Sequence, residues 1–80
     1  MRSSIHSAPY VMLRRRLSAA RIEAGLTQEA LALRLSRPQS YVAKYETGDR
    51  RLDVVEFLDV CSSLDLDANA LLTAVRDALA

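Results

Sequence analysis

Gln39, Ser40 and Lys44 place an amide, a hydroxyl and an ammonium within one short stretch of chain. Groups of this kind break no bonds; they form hydrogen bonds. A glutamine makes a paired contact to adenine N6 and N7, a serine donates or accepts, and a lysine suits guanine O6 or N7, or a phosphate oxygen. Ala43 lies beside them and offers only a methyl, which matches the methyl of thymine. Arg50 and Arg51 follow after Gly48-Asp49. Their permanent charge and forked donors suit phosphate. Catalytic sets are not apparent: there is no Ser/His/Asp arrangement with plausible spacing, no glycine-rich phosphate loop and no metal quartet. Enzyme activity and a cofactor are therefore not expected. Cys61 falls at a position suited to a small apolar core residue, and the single His6 is far from it in sequence, so no metal is expected.

The elements that must carry these side chains follow from apolar spacing. Residues 1–8 are polar, small and unpatterned and read as a flexible arm, leaving 9–80 as one domain. Pro9 opens a first helix, with Leu13, Leu17, Ala20 and Ala24 at helical spacing until Gly25 stops it. Thr27 caps a short second helix with Leu31, Ala32 and Leu35 on one face. Ser36-Arg37-Pro38 interrupts, because the residue before a proline avoids helical geometry. The third helix runs to about Thr47; Val42 and Tyr45 form its inner edge, and Gln39, Ser40, Ala43 and Lys44 point away. Gly48 ends it. Asp53 and Glu56 have the spacing of a capping box before a fourth helix bearing Val54, Phe57, Cys61 and Leu64. Asp67 caps a fifth. Nothing reads as a strand.

Eighty residues bury only a modest core, and the composition is ordinary: half hydrophobic, a quarter charged. There is no apolar run long enough for a membrane span, no secretory leader, and one cysteine, all of which fit a cytoplasmic protein. Net charge is only +1, but its distribution is uneven. Residues 1–51 carry ten basic and four acidic side chains, a net of +6; residues 52–80 carry one and six, a net of −5. The first half is suited to face a polyanion.

Two short helices joined by a tight turn, the second polar outside, make the layout of a helix-turn-helix. The stretch from Arg21 to Asp67 resembles the Cro/C1-type (xenobiotic response element) helix-turn-helix family. The residues that carry the likeness are Arg21, Gly25-Leu26-Thr27-Gln28-Glu29, Leu31-Ala32, Gln39-Ser40, Glu46, Gly48 and Leu64. The resemblance implies an all-α, compact five-helix, lambda-repressor-like domain that binds double-stranded DNA. It implies that Gln39, Ser40, Ala43 and Lys44 contact bases. Gln28, with Thr27, Tyr41, Thr47, Arg50 and Arg51, is assigned to phosphates. Arg21 and Glu46 are matched to an ion pair joining the first helix to the end of the third. Two departures stand out: Ser36 takes a turn position where many members have glycine, and Pro38 replaces the usual hydroxyl cap of the reading helix.

One small module gives limited affinity, so a homodimer on an inverted repeat is expected. Leu71, Leu72, Val75 and Leu79 form an apolar stripe on the last helix suited to that interface. The function expected is that of a small transcriptional repressor. Two other readings stay open: an antitoxin that binds a protein partner such as a toxin as well as its own operator, and a helix-turn-helix used only for protein contacts.

Overall fold

The computed structural model describes residues 6–79, which fold into five helices: α1 (Ala8–Glu23), α2 (Gln28–Arg34), α3 (Gln39–Thr47), α4 (Val54–Ser63) and α5 (Ala68–Leu79). No strand occurs among the described residues. The expected arm of residues 1–8 needs correction at its end. Ser7 is the N-cap of α1, its side chain accepting from the Tyr10 amide, and Ala8 is already helical. Residues 1–5 of that arm lie outside the described residues.

The connections show how the short helices are stopped. Gly25, Ser36 and Asp65 adopt left-handed φ values of 76°, 56° and 54°. At each, the residue's amide bonds back three residues and the next amide bonds back five, as in Ser36 to the Leu33 carbonyl and Arg37 to the Ala32 carbonyl. This is the Schellman arrangement, which satisfies carbonyls that a helix end would leave open. Gly48 ends α3 with a φ of 90°. Helix starts are equally explicit. Thr27 accepts from the Ala30 amide at 3.0 Å, and Asp67 from the Ala70 amide at 3.2 Å. Asp53 and Glu56 form the expected reciprocal capping box.

The core gathers one face from every helix: Leu17 of α1, Leu31 and Ala32 of α2, Tyr41, Val42 and Tyr45 of α3, Phe57, Val60 and Cys61 of α4, and Leu71 of α5, with Leu35 just after α2. Helices α2 and α3 pack on each other, and α1 lies against α3 and α5. Helix α3 is thus held along its inner face while its outer face is left to solvent. No helix among the described residues is long and apolar enough to cross a membrane.

Candidate nucleic-acid interface

Helix α3 has room for nine residues, and its inward positions are taken by Tyr41, Val42 and Tyr45. Of the remaining positions, Glu46 turns toward α1 and the other five, Gln39, Ser40, Ala43, Lys44 and Thr47, form a single outer strip. Gln39, Ser40, Lys44 and Thr47 are exposed and Ala43 is half-buried. Thr47 donates its hydroxyl to the Lys44 carbonyl of its own helix. Pro38 precedes the strip without any side-chain cap, as its chemistry requires.

What fixes the orientation of α3 is Glu46. Its carboxylate accepts from Arg21 Nε at 2.7 Å and Arg21 Nη2 at 3.1 Å, from Gln28 Nε2 at 3.0 Å and from Ser18 Oγ at 3.4 Å. The Arg21 and Glu46 side chains are 12% and 7% exposed, so the pair is largely withdrawn from water. Removing one partner from such a pair strands the other and costs on the order of 3–5 kcal/mol when burial is complete. Arg21 Nη1 also holds the Leu26 carbonyl, tying the turn before α2 into the same network. Gln28, assigned to phosphate by resemblance, therefore has one amide donor engaged inside the protein.

Arg14 belongs to this support, a role that its place in the run Arg14-Arg15-Arg16 concealed. Its Nη1 donates to the Glu46 carbonyl at 2.7 Å, across the C-terminus of α3. Arg14 and Arg21 are seven residues apart, two helical turns, so they share a face of α1; that spacing was the available signal. Arg15 and Arg16 are exposed. Tyr10 makes a second brace, its hydroxyl accepting from the Leu52 amide at 3.0 Å.

On the other flank of α3, Tyr41, a phosphate-contact candidate from the helix edge, is 7% exposed and packs its ring into the core. Its ring meets Tyr45 edge-on at 5.7 Å, and burial pushes its phenol pKa up. Two guanidiniums cover the ring: the Arg37 Cζ lies 4.5 Å and the Arg50 Cζ 4.8 Å from its centroid. Arg50 also makes a paired contact to Glu56, Nη1 to Oε1 at 3.0 Å and Nη2 to Oε2 at 2.8 Å. That pairing, with the Asp53 amide, holds the Glu56 carboxyl down at about 2. The acidic second half of the chain is therefore not electrically separate from the basic first half: Glu56 neutralises charge beside α3. Arg51 stands next to Arg50 and is exposed.

Leu71, expected on an outer dimer stripe, is 5% exposed and closes the core against α1. Leu72 and Leu79 remain exposed, and Val75 is half-buried.

Comparison with known proteins agrees with this geometry. A family model described as a helix-turn-helix domain matches residues 12–74. The chain is also similar to a solved structure, an XRE-family like protein from Pseudomonas syringae pv. tomato str. DC3000. The two share 49% identity over 92% of this chain and 90% of the other, with a TM-score of 0.84. No curated protein matches the chain.

Proposed function

From the premise that this chain belongs to the XRE, or Cro/C1-type, helix-turn-helix family of DNA-binding transcription regulators, we propose that it is a dimeric repressor that reads an inverted repeat through the major groove. The observation that carries this reading is the outer face of α3. Gln39, Ser40 and Lys44 are exposed on a helix whose inner face and C-terminal end are both clamped. A rigid helix with free hydrogen-bonding groups is what sequence readout requires, because discrimination of ~1–3 kcal/mol per paired contact depends on fixed geometry.

In this reading Gln39, Ser40 and Lys44 meet base edges, and Ala43 lies against a thymine methyl. Thr27, Gln28, Thr47 and Arg51 hold the flanking phosphates and supply salt-dependent, sequence-blind affinity. Arg21 and Glu46 tie α1 to the end of α3 and touch no base. The second subunit docks through the exposed apolar surface of α5, now reduced to Leu72 and Leu79 with Val75 at its edge. A two-fold dimer of this kind presents two copies of α3 to half-sites about one helical turn apart.

Selection of bound duplexes from a random pool tests the reading. The expected product is a palindrome with two half-sites. A pool that remains random after repeated selection would overturn sequence-specific recognition.

A further inference from the structure

Arg37 stands in the turn between α2 and α3, separated from Gln39 only by Pro38. Its surroundings are unusual for a turn arginine. The guanidinium lies over the Tyr41 ring, which is itself locked in the core by Tyr45. The same ring carries Arg50, and both arginines share one carboxylate, that of Glu56. Their claims on it are unequal. Arg50 makes two short contacts to Glu56 and a third to the Arg51 carbonyl at 2.9 Å. Arg37 makes one contact, from Nη2 to Oε2 at 3.5 Å.

A guanidinium has five N–H donors. Arg37 uses one, weakly, and its side chain is 42% exposed. Glu56 is already neutralised by Arg50, so the positive charge of Arg37 is held in place without being cancelled. Asp53, which lies within electrostatic reach of Arg50, has its carboxylate turned to the α4 N-terminus. A cation that is oriented by a ring, uncancelled and rich in free donors is prepared for an anion from outside.

We propose that Arg37 is a phosphate-contacting residue of the DNA interface, and that Tyr41, Arg50 and Glu56 are positioning residues that pre-set its guanidinium. This rests on the DNA-binding reading and refines it. The end of α3 next to Arg37 is the end that enters a groove most deeply, so Arg37 meets the sugar–phosphate rail beside it. Stacking on Tyr41 removes much of the rotamer freedom that binding would otherwise have to remove. Arg50, expected at the phosphates, acts one layer inward.

The test is the salt dependence of binding to one selected duplex for the wild-type chain, Arg37→Gln, Arg37→Lys and Arg50→Gln, with melting temperatures measured in parallel. Arg37→Gln lowers the slope of log K against log salt by about 0.9, so its deficit shrinks ~3.5-fold between 50 and 200 mM salt. Its base preference and melting temperature stay near wild type. Arg37→Lys keeps the slope and binds more weakly, because an ammonium lacks the planar fork that stacks on the ring. Arg50→Gln lowers the melting temperature and also lowers the slope, because Glu56, no longer held by Arg50, is left to cancel the charge of Arg37. A wild-type slope in Arg37→Gln, with the wild-type chain binding normally, would overturn the Arg37 assignment alone. A wild-type chain that binds no duplex would remove the DNA reading and this assignment together.

Discussion

At the scale of single residues, two glycines with similar backbones have different reasons to be glycine. Gly25 has a φ of 76° and nothing within 4 Å of where a Cβ would stand. Gly48 has a φ of 90°, and a Cβ there would lie 3.1 Å from Arg14 Nε and 3.2 Å from Arg14 Cζ. Arg14 cannot withdraw freely, since it holds the Glu46 carbonyl. Gly25→Ala should therefore cost about 1–2 kcal/mol, the backbone penalty alone. Gly48→Ala should cost more, and the excess should vanish in an Arg14→Ala background. Denaturant melts of the four variants check this; equal costs for the two glycines would mean that Arg14 yields without penalty.

Glu56 gives a residue-scale prediction in pH. Its carboxyl is held at about 2 by Arg50 and the Asp53 amide, against an ordinary value of 4.5. A group depressed on folding contributes its stability above the unfolded value and loses it as pH falls through the folded one. The contribution is thus complete above about pH 4.5 and disappears toward pH 2. Arg50 is 37% exposed, so water screens the pair; the loss is on the order of 1–2 kcal/mol. Glu56→Gln should lose less stability than wild type across that window. Parallel acid-melt curves for the two would contradict it.

At the scale of elements, α2 ends on a residue poorly suited to its geometry. Ser36 sits at a φ of 56° in the turn that sets the angle between α2 and α3. Ser36→Gly should stabilise by about 0.5–1 kcal/mol, the relieved backbone strain exceeding the added freedom of the unfolded chain. It should leave operator preference unchanged; thermal melts and a binding titration read both. The elements themselves were legible because their signals are local. Gly25, Thr27, Pro38, Gly48 and the Asp53/Glu56 box each act within a few residues, and each is where its chemistry demanded. The long-range contacts were less legible. That Tyr41 turns inward depends on Arg37 and Arg50 arriving from opposite ends of α3, and that Arg14 caps α3 depends on how α1 crosses it. The burial of Leu71 is not legible in the sequence, because helical spacing shows a stripe but not which edge of it another helix covers. The Arg21–Glu46 pair came from family likeness and not from spacing.

At the scale of the whole molecule, the remaining exposed apolar surface bears on assembly. Leu72 and Leu79 are 45% and 70% exposed on α5. Burial of such side chains in a two-fold interface is favourable by roughly 25 cal/mol per Å². The chain should sediment as a dimer at tens of micromolar, and Leu72→Glu with Leu79→Glu should give a folded monomer with weaker DNA binding. A wild-type chain that stays monomeric at that concentration would contradict the α5 interface. Val54, Val55 and Leu58 form a second exposed apolar group on α4, and a dimer that survives the α5 changes would point there.

The central claim is that the outer face of α3 reads bases while the rest of the chain holds it still. The most direct measurement is the affinity of wild type and Gln39→Ala for every single-base-pair variant of a selected site. Gln39→Ala is expected to lose preference at one base pair in each half-site, by about 1–3 kcal/mol, and to keep it elsewhere. Uniform weakening at all positions, or an unchanged profile, would contradict it.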